Sequence, residues 1–499
     1  MFLTRICIVL LFGGQLCAQS NGALITSYGS NGKSIFTIPG RDLRIYDAKE
    51  LADNSVLLAG SIIQENKDQE DMVLIKVDKN GQPDPQFGIK FYDVGEKENV
   101  ARDMAVLSDG SIILCGWYHN GNNFDILIVK LKSDGSIDMG FATGGLKIFN
   151  LGSTDTGHTV TTDKNDNIYI SGRTFQSGLG VDALVIKMDK NGQLANNFGV
   201  AGITKNDFGS NETAYDMEVT DNGNIYLGVD SEMNGNTQSG AIKYLANGNP
   251  DTGFGQNGLA TMPTGKGFAS TYGIDIQKDG KVLLVGNETP LAGNTSNITI
   301  LRFNPNGSPD IGFNGTGFVF DSSLNEGSYG TDIQQTDDKG ILVLGFGLHQ
   351  GAPSIILQKY NESGSLDAGF GNNGTSLTDF NTNVQVSSSL LLLKDGNILI
   401  VGHNPLGSSV FLAKYKHTLS SNSVETAENK VVIYPNPCAG AFQVRSDEAF
   451  GKVTIYDFYG RFVFEKEVEN GASIDLPSGV YILKYRSLEE VSTHKVIVE

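Results

Sequence analysis

The stretch Leu393-Lys-Asp-Gly-Asn-Ile-Leu-Ile-Val-Gly402, LKDGNILIVG, decides how the chain folds, because it returns. QKDGKVLLVG ends at Gly286, LSDGSIILCG at Gly116 and TDNGNIYLG at Gly228. The Gly that closes each copy falls at 60, 116, 172, 228, 286, 345 and 402, in steps of 56, 56, 56, 58, 59 and 57 residues. A fixed period held over seven copies is the mark of a repeat architecture and outranks any local propensity.

Two further markers keep the same phase. A turn Gly is followed six residues later by an aromatic: Gly22/Tyr28, Gly81/Phe87, Gly135/Phe141, Gly192/Phe198, Gly248/Phe254, Gly307/Phe313 and Gly364/Phe370. One basic residue sits in each apolar run: Lys76, Lys130, Lys187, Lys243, Arg302, Lys359 and Lys414. Each copy holds about four strand-like runs, of the types LKIFNLG, ARDMAVLS, SIILCGW and FDILIVKLK. They are joined by Asp-Gly and Asn-Gly pairs such as Asp109-Gly110 and Asn80-Gly81, which suit tight hairpins because Gly accepts φ > 0.

The unit is therefore a four-stranded antiparallel meander. Runs such as NILIV and KVLLV are apolar on consecutive residues, which means burial on both faces, as when blades stack. The fold expected is all-β: a seven-bladed β-propeller of four-stranded blades, with an open β-solenoid as the alternative. Near-equal copy lengths and the lack of a polar cap at either end favour the ring. The chain after residue 18 begins inside a copy, at NGALITSYG, and the last copy stops after FLAKYKHT. The N-terminal stretch is thus expected to complete the seventh copy and latch the ring. The recurrent aromatics read as wedges between blades. The recurrent cations read as snorkelling chains or guards of an outer edge, and less naturally as a ring for anionic ligands.

The repeat GSLDAGFGNNGTSLTDF…LLLKDGNILIVG…VFLAKY resembles the delta-60 repeat, a β-propeller family of exported bacterial proteins, over residues 22 to about 416. That resemblance implies the fold and no single activity.

Both ends of the chain read as export signals. Arg5, the apolar run Ile6–Phe12 and Leu16-Cys17-Ala18 form a cleavable signal peptide over 1–18, too short to span a bilayer. Leu16 is bulky where a lipoprotein needs a small residue before its Cys, which counts against Cys17 as an anchor. The ring takes 19–417, and the polar stretch 418–430 is a linker. Short alternating strands then make a small Ig-like β-sandwich over 431–499. This tail resembles the C-terminal sorting domain of type IX secretion, found in Bacteroidetes-like bacteria. The matching residues are Tyr434, Pro435, Asn436, Pro437, Asp457, Gly460, Arg461, Gly479, Tyr481, Lys484 and Lys495. The resemblance implies recognition by the type IX machinery, removal of the tail, and a cargo that is secreted or held at the cell surface.

Composition narrows function mainly by exclusion. Thirty-seven basic against 56 acidic residues give a net charge of −19, which disfavours nucleic acid and anionic lipid. The tail (431–499) carries −3, the linker −1 and the leader +1, so the ring carries −19 + 3 + 1 − 1 = −16. Only Cys115 and Cys438 lie beyond the leader, in different domains, so stability rests on core size and not on disulfides. The six His (119, 158, 349, 403, 417 and 494) form no zinc spacing, and no Gly-x-Ser-x-Gly elbow or phosphate loop occurs. Asp163, Asn165 and Asn167 alternate as in a calcium loop, but they stand where other copies place a hairpin and read as a turn. No catalytic, cofactor or metal residue is assigned. Trp117, Tyr118 and His119, in a loop rich in Asn, are the candidate ligand residues. Even copy lengths favour a binding propeller at the cell exterior, engaging glycan, protein or matrix. The alternative is a hydrolase or lyase acting in the central channel.

Overall fold

Seven separate sheets of four antiparallel strands follow one another along the chain in a computed structural model. The structure describes residues 21–417 and 431–498, except 66, 96, 179, 234–235, 265–266, 291–294, 324–325, 435, 437, 439, 447–449, 458–460 and 488–490. The leader 1–18 and the linker 418–430 lie outside the described residues. Two compact units divide near residue 419.

In the first unit each sheet is a blade. Its four strands run outward from a central axis in chain order, as in blade 2: Asn99–Val106, Ile112–His119, Phe124–Leu131 and Leu146–Phe149. The innermost strands of blades 1 to 7 are Arg41–Glu50, Asn99–Val106, Thr154–Thr162, Asn211–Val219, Gly267–Ile276, Ser328–Gln335 and Val386–Leu392. Each neighbours the next, and the seventh neighbours the first, so the ring closes. Closed repetition of this kind leaves only short outer edges for pairing with other chains.

The blade is offset by one strand from the sequence copy. The short run after each turn aromatic pairs with the preceding blade as its outer strand, and does not open its own copy's sheet. Ile89–Tyr92 thus pairs with Glu70–Val77. The same offset explains the latch. Lys33–Thr37, which follows Tyr28, is the outer strand of blade 7 and pairs with Ser409–Tyr415. Backbone bonds from Ile25 N to Lys414 O (2.8 Å) and from Lys416 N to Ala23 O (2.8 Å) extend the clasp.

Consecutive apolar residues serve two cores at once. Val56 and Leu58 pack toward blade 7, whereas Leu57 and Ala59 pack toward blade 2. Each of the seven interfaces between blades holds its own apolar cluster. The turn aromatics are buried wedges, from Phe87 at 9 % exposed to Phe254, Phe313 and Phe370 at 0 %. The amide after the aromatic reaches the next copy. Gly199 N donates to Asn247 O (2.8 Å), Gly255 N to Asn306 O (2.9 Å) and Asn314 N to Ser363 O (2.8 Å). Gly371 N donates to Asn21 O (2.9 Å), which carries the pattern across the closure.

The repeated cations are internal struts. Arg302 lies 4.5 Å from the Phe313 ring centre, binds Asp310 at 2.7 Å and donates to Glu362 O at 2.7 Å. Lys243 lies over Phe254 and pairs with Asp251 at 2.8 Å. Lys76 and Lys414 pair with Asp53 (3.0 Å) and Asp395 (2.7 Å). Six of the seven are paired with a carboxylate where they sit, and Lys187 lies over the Tyr169 and Phe198 rings, which counts against the anionic-ligand ring as a reading of them. Asp163 accepts the amides of Asn165 (2.9 Å) and Asn167 (3.0 Å), the geometry of an Asx turn.

The second unit pairs a three-stranded sheet with a four-stranded one around Val444, Val453, Ile455, Leu483, Tyr485 and Val496. Both Cys115 and Cys438 are buried free thiols.

Candidate functional site

Every innermost strand carries a β-bulge beside the repeat Gly, in the same register in six blades and shifted by one residue in blade 4. The register skips Tyr46, Arg102, His158, Tyr215, Tyr272, Thr331 and Ser388 in blades 1 to 7. A bulge adds a residue to one strand and re-aims its side chain. Here the seven extra residues line a central channel with a cavity of about 880 Å³. The Gly of the sequence repeat is what makes room. A Cβ on Gly60 would stand 1.9 Å from Arg44 O, on Gly116 1.9 Å from Val100 O, and on Gly286 1.7 Å from Ser270 O. The period read from the sequence is therefore the footprint of the channel's architecture.

The skipped residues form a belt. The Arg102 guanidinium lies 4.2 Å from the Tyr46 ring centre and 5.8 Å from that of Trp117. Trp117 meets His158 edge-on at 6.0 Å, His158 stacks on Tyr215 at 5.4 Å, and Tyr215 meets Tyr272 at 5.7 Å. Across the channel, Tyr329 stacks on Phe346 at 5.3 Å. Hydroxyls complete the circuit: Thr331 Oγ1 lies 2.8 Å from Ser387 Oγ, and Ser388 Oγ lies 3.1 Å from His403 Nδ1. One arc is thus aromatic and cationic, the other hydroxylic.

One residue further along lies a layer of carboxylates that stitch the blades together. Asp103 accepts Val160 N (2.7 Å) and Thr159 Oγ1 (2.8 Å), Asp216 accepts Ile274 N (2.9 Å), and Asp332 accepts Leu390 N (2.7 Å). Each partner is on the next blade. Lys49 is bound to Asp47 at 3.1 Å and lies 3.9 Å from Asp103. Burial pushes Asp216 up to about 6 and Asp332 up to about 7. Glu218 projects into the channel, open to its bore but walled by protein. That enclosure and the neighbouring Asp216 and Asp275 raise it to about 8. Asp230 is raised to about 7 by burial, against the pull of its bond from Thr271 N.

His158 is committed. Its Nδ1 lies 2.6 Å from Ala214 O, so the proton sits there and Nε2 accepts from Thr156 Oγ1 at 3.0 Å. Burial and the nearby Arg102 lower it to about 3, so the ring stays neutral. His403 is likewise held near 3 by burial and Arg44.

The three residues singled out in the sequence separate. Trp117, Tyr118 and His119 end the strand Ile112–His119, and the loop expected there starts only at Asn120. Strand alternation sends neighbours to opposite faces. Trp117 joins the belt, Tyr118 packs toward blade 1, and His119 lies against Phe124 at 5.0 Å. Apart from Trp117, sequence reading missed the belt. A signal was present: the bulged residue lies 14 positions before the repeat Gly in six copies and 13 before Gly228. At that place the otherwise similar copies carry Tyr, Arg, His, Tyr, Tyr, Thr and Ser.

In the second unit the tail residues hold the small domain together. Asn436 Oδ1 accepts Ile497 N (2.9 Å), tying the first segment to the last strand. Asp457 accepts Arg461 N (2.9 Å) and Nε (2.7 Å). Tyr481 donates to Pro477 O (3.0 Å), Tyr434 to Gln443 Oε1 (2.6 Å), and Lys484 lies over Tyr456. Gly479 and Lys495 pair with Val498 and Ile482. Pro435, Pro437 and Gly460 lie outside the described residues.

Among the described residues no helix is long and apolar enough to cross a membrane, and no group of three or more His, Cys, Asp or Glu is placed to hold a metal. No curated protein matches the chain. Similar solved structures include PorZ of Porphyromonas gingivalis, a bacterial surface component of the type IX secretion system, at 14 % identity and a TM-score of 0.44. That match covers 93 % of this chain and 60 % of PorZ, so the chain spans less than two thirds of that protein. The polysaccharide lyase Uly1 is similar at 14 % identity and 0.42, covering 79 % of this chain and 92 % of its own. The α-L-arabinofuranosidase Arb93A of Fusarium graminearum follows at 10 % and 0.37, covering 63 % and 92 %. Residues 107–141 and 277–313 match a β-propeller domain of unknown function, DUF5122. Residues 432–499 match the secretion system C-terminal sorting domain, and with the seven blades they identify the chain as a β-propeller protein exported by the type IX secretion system to the cell surface or beyond.

Proposed function

We propose that the exported ring binds an extracellular ligand in its channel and performs no chemistry on it. The leader 1–18 is removed on the first export step. The tail 431–499, joined by the linker 418–430, engages the secretion machinery and is then cut off. The supporting observation is the bulge belt. A fold of near-identical blades spends one extra residue per blade to bring unlike aromatic, cationic and hydroxylic groups to one level. Such a mixture of flat apolar faces and a few polar groups in a concave site is what a binding pocket needs. The groups a catalyst would use are occupied: the Asp layer bonds amides between blades, and His158 has both ring nitrogens engaged.

Glycan and protein arrays probed with the purified protein test this reading. Trp117→Ala and Tyr215→Ala should abolish the signal with the denaturation midpoint little changed. The second reading, a hydrolase or lyase in the channel, draws support from Glu218, which lines the channel, and from Asp230 near the belt residues Tyr215 and Tyr272; the raised values of these two carboxyls suit proton transfer near neutral pH. Turnover of a polysaccharide that is lost in both Glu218→Gln and Asp230→Asn would establish it in place of the first.

A further inference from the structure

We propose that the ligand of the channel is an acidic carbohydrate, with a sugar carboxylate seated on Arg102; this rests on the channel being a binding site at all. Three cations line the channel, and two are committed. Arg44 binds Glu70 at 2.8 Å, and Lys49 binds Asp47 at 3.1 Å. Arg102 makes no ion pair among the described residues, and its Nε is buried with no hydrogen-bond partner there. A guanidinium that lines a cavity without a counter-ion of its own is left to pair with an anion from the channel, which marks where one docks. The planar fork of Arg matches a carboxylate in two-point contact.

The surroundings select among anions. Tyr46 and Trp117 flank the guanidinium, and His158, Tyr215 and Tyr272 continue the flat arc. Flat rings of this kind cover the apolar C–H faces of pyranose units. Facing them, Thr331, Ser387, Ser388 and Gln334 supply the short-range donors and acceptors that ring hydroxyls require. An extended peptide is a poorer fit, because each innermost strand is broken by its bulge at this level and offers no straight edge for strand addition. A cavity of about 880 Å³ lies in the range of small-ligand clefts and takes a chain end or short oligomer, not a folded domain. Acidic side chains dominate deeper in the channel, at Asp47, Asp103, Asp216, Glu218 and Asp332. They offer an acid group no counter-charge, and Arg44 and Lys49 are already paired, so the acid group is confined to the level of Arg102.

Titration calorimetry of the full-length protein tests the assignment. The probes are tetrasaccharides of galacturonate and of mannuronate, the neutral galactose tetramer, a sulfated heparin tetramer and an acidic hexapeptide. One uronate should bind, its neutral counterpart about 10- to 100-fold more weakly, and Arg102→Gln should erase that difference by a charge-assisted contact's worth. Arg102→Lys should recover only part of it, which a merely structural role for Arg102 would not produce. Circular dichroism and the denaturation midpoint confirm that each variant is folded. Equal binding of neutral and acidic tetramers, still abolished by Tyr215→Ala, would overturn this inference and leave the channel reading standing. Preference for the sulfated tetramer, for the peptide, or for none of the probes would also overturn it.

Discussion

The repeat Gly predicts its own mutational signature. A Cβ built on Gly116 meets Val100 O at 1.9 Å, whereas contacts under about 3.0 Å are essentially unseen, so the two strands must part by at least 3.0 − 1.9 = 1.1 Å. That opening would break the backbone pairing of Ala101 with Gly116 and loosen the Asp103 stitch to blade 3. Overpacking of this kind costs about 3 kcal/mol or more. Gly228 is the internal control. In blade 4 the bulge is shifted by one residue, so Gly228 faces Asp216 and its Cβ would meet nothing closer than Thr271 Cγ2 at 3.2 Å. A single methyl there asks a neighbour to yield by a few tenths of an ångström, at a cost of about 1 kcal/mol or less. Urea denaturation of Gly116→Ala, Gly286→Ala and Gly228→Ala, followed by far-ultraviolet circular dichroism, reads the ranking. Equal midpoints for the three variants would refute the claim that these glycines exist to admit the bulge.

Three other outcomes are expected. Glu218 has a folded value raised to about 8, above the ordinary carboxylate range. The folded state therefore holds the extra proton, and stability falls as pH rises from about 4.5 through 8. Glu218→Gln should flatten that fall and raise the denaturation midpoint at pH 8 but not at pH 4.5; an unchanged slope would place the strain elsewhere. For an anionic ligand the ring's net charge of −16 is repulsive, so stopped-flow association should speed up as salt rises from 20 to 200 mM, the reverse of steered binding. Removing residues up to Thr37 strips the outer strand from blade 7 and bares the edge Ser409–Tyr415. Hydrogen exchange there should accelerate, and light scattering should show association that the intact chain lacks.

The fold was legible because it is written seven times. A single copy of KVLLV could be a buried helix segment or a strand, but seven copies in register with Asp-Gly turns leave one reading. The latch followed from where the copies start and stop. Two features stayed hidden for physical reasons. The one-strand offset leaves no local trace, because Ile89–Tyr92 has the same composition whichever sheet it joins. The bulge leaves none either: Asp47, Asp103 and Asp216 fit a pleated strand as well as a kinked one, and only pairing shows the extra residue. Trp117, Tyr118 and His119 are adjacent in sequence but end a strand, whose alternation sends Tyr118 to the face opposite Trp117 and His119.

In a closed ring of copies, positions that pack between blades face the same neighbours seven times, so they converge on one residue type, as the wedge aromatics and the strut cations do. A position that faces the axis has no such constraint, because the bore is shared by all blades and filled by whatever the ligand demands. Divergence at an axis-facing offset, where the packing positions of the same copies agree, is therefore a functional signal that needs no second sequence. Here the offset is set by the glycine that admits the bulge, and it singles out Arg102 in the company of Tyr46, His158, Tyr215 and Tyr272. If the channel were mere filler, the same offset would carry small or aliphatic residues that close the bore. A guanidinium without a counter-ion among the described residues, placed between two aromatic rings, is the costliest filler the position could hold.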